Sequence, residues 1–569
     1  MEARRRNSAY KKVFTILIIL SVLFTGCAGQ ERPASNAVDR EEKGMGQIPP
    51  SEAAGKVSVD STFVYPEWKE EDLDTTYTDG AVLIHGNKDQ VEITGGGAVS
   101  EQGNVTITDP GTYVLSGSFQ GQILIDVSSE DLVHLVLNNA EISCENSAAI
   151  YGSQSDKIVI TLAEGSENIV SDGQIYQYDT EEEDEPNAVI FSKDDLTLNG
   201  TGTLTVHGNY EDGIRSKDDL RIVSGSYDIM TVKGSIQGKD SVWIQGGTFT
   251  INAGNDAVKS SNDKEAEKGW VLIDGGTYRI AAGDDAFHAE TYMIIKDGVF
   301  DIETCCEGIE GLKVEIYGGD VRLYATDDGI NAAGGSSDNT AGGRPGMGGN
   351  ADAYIAVYGG NIHVNADGDG IDSNGSLFVY GGTVYVEGPV SDADGAIDYE
   401  YYAAVEGGTV LATGSAGMAM GFGEDSSQGW ILYNLPEKQA ADTEISLQNE
   451  KGDIIFSASP EKEYRSIVLS IPELNVKEDD IFILNCGSVS EEITLQNGVY
   501  SNGRGFGGGF GFDGQRPEGD GTGNPGGHGR GSRPEGEGSE PPGDFSGEMP
   551  DMPAGEFPEE PPMGKPGQP

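Results

Sequence analysis

Basic residues are scarce in this chain: 36 Lys and Arg stand against 95 Asp and Glu, a formal charge of −59 over 569 residues. So anionic a surface repels phosphate backbones and anionic headgroups, which excludes nucleic acid as a partner. It approaches an anionic polymer only where divalent cations sit between the two sets of carboxylates. Cysteine is also scarce. Beyond Cys27 there are Cys144, Cys305, Cys306 and Cys486, with no CxxC pair and no Cys/His spacing suited to zinc. A disulfide scaffold and a zinc module are therefore excluded, and burial is the expected role of these thiols. The six histidines are isolated, and there is no Gly-x-Ser-x-Gly elbow, His-Glu-x-x-His or phosphate loop. Long apolar runs are missing too; the run Val13 to Phe24 is too short to span a bilayer. With 36% hydrophobic residues and 84 glycines, about twice the usual share of roughly 7%, the composition speaks against a helical bundle and for turns and narrow repeated layers.

The N-terminus has the form of an export signal. Arg4, Arg5, Arg6, Lys11 and Lys12 precede the apolar run, and Thr25-Gly26-Cys27 closes it with small residues and a cysteine. This pattern resembles a bacterial lipoprotein signal peptide (1–27), which implies lipidation of Cys27, secretion, and anchoring on the outer face of the cell membrane by that lipid alone. Residues 28–74 are polar, acidic and aperiodic, as expected of a disordered tether.

From 75 to 420 short β segments rich in Val, Ile, Thr and Tyr follow one another, such as Val105-Thr106-Ile107, Tyr113-Val114-Leu115 and Ile123-Leu124-Ile125. Gly-Gly pairs recur at 246–247, 275–276, 318–319, 359–360, 381–382 and 407–408, most of them followed by a β segment. A second motif of acid, small and apolar residue recurs beside them: Asp212-Gly213-Ile214, Asp256-Ala257-Val258, Asp285-Ala286-Phe287, Glu307-Gly308-Ile309, Asp328-Gly329-Ile330, Asp369-Gly370-Ile371 and Asp394-Gly395-Ala396. The uninterrupted spacings are 22 and 21, from Asp285 to Glu307 and on to Asp328, and longer ones hold polar insertions such as 260–268 and 334–350. Neither a leucine-rich repeat nor a propeller blade fits, whereas three short strands and three turns do. The expected fold is all-β, a right-handed parallel β-helix of about 22-residue coils. Residues 421–500 are expected to form a small β cap over the end of the solenoid, and 501–569, rich in Gly, Pro and acid, a disordered tail.

If the acid occupies one place in every coil, carboxylates stack about 4.8 Å apart and each neighbouring pair repels by roughly 3 kcal/mol at an effective dielectric of about 20. Calcium, which takes oxygen ligands at about 2.3 to 2.6 Å, fits between successive carboxylates better than magnesium does. A second ligand stands three residues on in several coils: Glu310 after Glu307, Asn331 after Asp328 and Asp372 after Asp369, with His288 after Asp285 the poorer case. The doubled acids Asp284-Asp285 and Asp327-Asp328 add charge. The expected calcium ligands are Asp256, Asp284, Asp285, Glu307, Glu310, Asp327, Asp328, Asp369 and Asp372. Isolated aspartates that merely form turns are the plainer alternative. The column is broken at Lys233-Gly234-Ser235, which carries no acid.

The runs Thr112 to Gly117, Ile160 to Asn168, Ser192 to Leu198, Gly213 to Leu220 and Asp367 to Gly375 resemble the clostridial cellulose- and pectin-binding β-helix proteins, which carry a carbohydrate-binding domain. The resemblance covers roughly residues 75 to 490. It implies a pectate-lyase-like β-helix, bound calcium, and plant cell-wall polysaccharide as partner: acidic pectin such as polygalacturonate, cellulose, or both. The expected function is non-catalytic, calcium-dependent polysaccharide binding at the bacterial cell surface. The alternatives are a calcium-dependent polyuronate lyase, with Lys259 or Arg215 as base, and a structural envelope or adhesion protein. Tyr317, Tyr324, Tyr354, Tyr358, Tyr380 and Tyr385 recur through the strands as possible sugar-stacking rings.

Overall fold

Each repeat unit alternates one inward apolar side chain with one outward polar one, so no single coil buries its apolar face, and stacking on the next coil does. In the computed structural model, which describes residues 61–77, 80–88, 90–178, 180, 183–333, 349–474 and 480–503, the repeats form a β-solenoid of about 11 turns. The parallel β-helix expected from the repeats is the fold observed. A representative coil comprises Ile236–Gly238, Ser241–Ile244 and Thr248–Ala253, each strand pairing in parallel with its equivalent one coil on, as Ile236 with Val258, Val242 with Val271 and Phe249 with Tyr278. Three ladders thus run along the solenoid. The core between them contains the apolar residue of every acid motif, including Ile214, Val258, Phe287, Ile309, Ile330 and Ile371, all buried.

The second glycine of each Gly-Gly pair turns the chain into the third ladder. Gly247, Gly276, Gly319, Gly360, Gly382 and Gly408 all have φ between +83° and +133°, a conformation that a residue with a Cβ adopts only with strain. Behind these turns, Tyr227, Phe249, Tyr278 and Phe300 stack inside the core with centroids 4.8 to 5.0 Å apart and planes within 7°. The hydroxyls of Tyr227 and Tyr278 donate to the carbonyls of Ser224 and Gly275, so neither buries an unpaired donor.

Antiparallel pairing closes both ends. Val82–Lys88 runs antiparallel to Gln90–Thr94 before joining Gly111–Gln120 in parallel. Beyond the last coil, Thr409–Gly414 pairs antiparallel with Tyr464–Ser470, which pairs with Trp430–Gln439. A four-stranded antiparallel sheet, Ile454–Ala458, Ile445–Gln448, Ile481–Cys486 and Val489–Thr494, packs around a second core of Leu411, Ile431, Leu447, Tyr464 and Leu484.

The tether reading fails for 61–74. This segment lies along the outer face of the second ladder as a strap. Phe63 packs on Trp270 and Tyr292, Trp68 stacks on Trp243 at 3.8 Å, and the short helix Glu70–Leu73 inserts Asp72. The Asp72 carboxylate is fully buried, 2.8 Å from Lys157 Nζ and accepting from Thr197 Oγ1 at 2.7 Å. Burial pushes its pKa up, but these bonds and Lys157 hold it below the usual range. A polar run that reads as solvated is thus held by charged groups of coils far away in sequence. Residues 1–60, with Cys27 and the export signal, lie outside the described residues, as do 334–348 and 504–569.

Asp72→Ala leaves the buried Lys157 with only the more distant Glu71, at 3.9 Å, and we expect a loss of about 3–5 kcal/mol in chemical denaturation. Unchanged stability would mean that the strap contributes nothing to the fold.

Candidate functional site

The acid of each motif sits at or just before the start of a strand of the first ladder, and in Asp212, Asp256, Asp328 and Asp369 one oxygen has a task of its own. One oxygen locks adjacent coils. Asp212 Oδ1 accepts from Gly234 N at 3.0 Å, Asp256 Oδ1 from Asp285 N at 3.4 Å, Asp328 Oδ1 from Asp369 N at 2.7 Å, and Asp369 Oδ1 from Gly395 N. The following small residue permits this approach: a Cβ on Gly308, Gly329 or Gly370 would lie 2.3 to 2.5 Å from a carbonyl oxygen of the next coil.

The other oxygen faces the residue three positions on, and here the column divides. Upstream it meets a protein cation: Asp212 Oδ2 lies 2.6 Å from Arg215, Asp256 Oδ2 3.0 Å from Lys259 Nζ, and Asp285 Oδ2 2.9 Å from His288 Nδ1. His288 also contacts Glu310 across the ladder, and Glu290 at 3.4 Å. Lys259, His288, Glu310, Asn331, Asp372 and Asp398 are directly opposite one another from coil to coil. The row passes from base to acid along the solenoid. Downstream, Asp328, Asp369 and Asp372 offer oxygens that all lie within 4.8 Å of one another, with no Lys, Arg or His paired to them among the described residues. Opposite ligands of one calcium are about 5 Å apart, so a single ion reaches all three.

The electrostatics follow the same division. Burial first, then Asp372, pushes Asp328 up to about 8; burial and mutual repulsion push Asp369 and Asp372 up to about 7. Glu307, buried and facing Glu310, rises to about 8 although Asn331 Nδ2 donates to it at 2.9 Å. Glu310, despite its burial, is held low by His288. Asp256, expected as a metal ligand, is closed on Lys259; Asp285 and Glu310 share His288. Asp284 and Asp327 belong to neither cluster of converging ligand atoms. The coil without an acid is not a gap in charge, because Lys233 pairs with Glu211 at 2.6 Å. The sequence carried a sign of this division: a base three residues after an acid marks a motif that is already neutralised.

The expected lyase bases are thus occupied. Although burial pulls it down, Asp256 holds the Lys259 ammonium above its usual range, which makes it a poor proton acceptor. The tyrosines do not form an open platform. Tyr317, Tyr358 and Tyr380 stack on one another at 4.6 and 4.9 Å, so their faces meet each other, while Tyr354 is buried and donates to Glu315 at 2.6 Å.

A carboxyl whose native pKa exceeds its unfolded value near 4 holds more protons folded than unfolded, so stability falls as pH rises through that window. In chelator, the unfolding free energy should therefore fall between about pH 4 and pH 8, by roughly 1.4 kcal/mol per pH unit for each proton involved. Asp328→Asn and Asp372→Asn should flatten the fall; equal slopes in wild type and variants would contradict the raised values.

Residues 101–347 match the family model described as carbohydrate-binding domain-containing protein. A carbohydrate-binding domain-containing protein of Acetivibrio thermocellus is 40% identical over 148 residues, 26% of this chain and 49% of that protein. The chain thus spans about half the length of that curated relative. A solved structure of a polysaccharide lyase-like protein from C. thermocellum, a gadolinium derivative, aligns at 35% identity over 43% of this chain and 94% of that one, with a TM-score of 0.38. Over residues 101–347 the chain is thus similar to carbohydrate-binding domain-containing proteins.

Proposed function

We propose that this protein binds polysaccharide at the bacterial cell surface, held there by a lipid on Cys27, and that calcium at Asp328, Asp369 and Asp372 bridges it to acidic, pectin-like chains. The observation that carries the reading is the convergence of these three carboxylates, within 4.8 Å, in coils that lack the cations of the coils upstream. An ion there meets a donor set of hard oxygens, and it has coordination positions left for the carboxylate of a uronate. On a chain of net charge −59, that is the physical route by which an acidic polymer is drawn in rather than repelled. The match of residues 101–347 to a carbohydrate-binding family model supports the general class of ligand. Cellulose is a second expected partner, and binding without catalysis is favoured because Arg215 and Lys259 are both tied to their acids.

In native gels containing polygalacturonate, the protein should be retarded with calcium and run freely with chelator, without forming an unsaturated product. Asp369→Asn and Asp328→Asn should each weaken calcium binding by about tenfold or more, because each removes a charged ligand. Retardation that persists in chelator, or calcium affinity unchanged in both variants, would sink this reading.

A further inference from the structure

The third ladder carries a polar cleft of about 190 Å³ that the acidic column does not touch. Its lining includes Glu303, Arg322, Tyr324, His363, Asn365 and Glu461. Arg322 and His363 are directly opposite each other on neighbouring strands, as are Tyr324 and Asn365, so four side chains make a two-by-two patch, about 4.8 Å across strands and about 7 Å along them. At its edge the pairing of Val299–Cys305 with Asp320–Ala325 shifts register between Ile302 and Cys305, where Glu303 stands. A bulge of this kind re-aims a side chain and recurs next to functional sites. The far wall is Glu461, whose N–H donates to the buried Glu387 at 3.0 Å, behind Asn365.

Hydrogen-bonding capacity is left over here. Glu303 pairs with Arg279 and Tyr324 donates to Asp367, but Arg322 makes no ion pair among the described residues. Asn365 Oδ1 is buried with no hydrogen-bond partner, while the His363 ring beside it is turned to the buried Glu387, with Nε2 3.5 Å from Oε1. Buried polar atoms are nearly always satisfied, so an amide oxygen without a donor, next to a guanidinium without an ion pair in one cleft, points to a ligand or water that supplies the missing bonds. The charge indicates which ligand. Asp301, Glu303 and Glu461 outnumber Arg322, so a uronate is repelled, whereas sugar hydroxyls both donate to carboxylates and accept from a guanidinium and an amide.

We propose that this cleft is a second glycan site that takes a neutral pyranose of a polysaccharide chain without metal. It rests on the polysaccharide-binding reading above but not on the cation site. The protein then has two grips of different chemistry: a cation-bridged one for acidic sugars on the first ladder and a hydrogen-bonding one for neutral sugars on the third.

The test is calorimetry of the full chain in EDTA with three neutral probes, cellohexaose, mannohexaose and xylohexaose. At least one should bind, and Arg322→Ala and Asn365→Ala should each weaken it by about tenfold or more. Both variants should keep the wild-type melting temperature and the calcium-dependent retardation by polygalacturonate, while Asp369→Asn should lose that retardation and keep neutral-sugar binding. The site is overturned if no probe binds in EDTA, or if both variants bind as wild type does. If retardation by polygalacturonate survives that result, the acidic site stands alone; if it is also absent, the polysaccharide reading falls too.

Discussion

In a parallel β-helix every side chain lies about 4.8 Å from its equivalent in the next coil, and this single constraint governs the molecule. Whatever the repeat retains is stacked on itself. For aromatic residues the result is favourable: Tyr227, Phe249, Tyr278 and Phe300 form one continuous stack in the core. For acids it is unfavourable, and a retained acid needs a reason to be there and a means of neutralisation. The reason is the inter-coil bond, in which one carboxylate oxygen accepts the backbone N–H of the following coil. The means changes along the solenoid, from Arg215, Lys259 and His288 upstream to an oxygen cluster without a protein cation at Asp328, Asp369 and Asp372.

This arrangement joins fold to function without a separate device. The acid that locks two coils together also offers its second oxygen to the outside, so the cluster proposed to hold calcium is as rigid as the solenoid itself. Loss of the cation upstream does not weaken the coil contacts, because Asp328 Oδ1 still accepts from Asp369 N as Asp212 Oδ1 does from Gly234 N. Where Arg215 and Lys259 stand three residues after the acid upstream, Asn331 and Asp372 stand downstream, and the acid there is left without a protein cation.

The repeat made most of this legible. The Gly-Gly turns, the spacing near 22 and the buried apolar residue of each motif pointed to the β-helix, because a period of that length with three β segments has few other solutions. The recurring acids were legible for the same reason, and the turn reading of the aspartates describes the oxygen that accepts from the next coil. Three things were missed. Asp256 was grouped with its downstream equivalents although Lys259, three residues on, signals a neutralised acid, and the two lie 3.0 Å apart. The strap at 61–74 was hidden because its anchors, Asp72 with Lys157 and Trp68 with Trp243, are joined across distant coils and leave no local period. The cleft around Arg322 escaped for a related reason: its residues come from three coils and from the loop at Glu461.

Anomalous scattering from crystals of the protein grown in calcium tests whether cations from the protein and from solution divide one acidic column between them. Calcium density is expected among the carboxylates of Asp328, Asp369 and Asp372, and none beside Asp212 or Asp256, where Arg215 and Lys259 already stand. Calcium beside Asp212 or Asp256, or none among the downstream three, would contradict it.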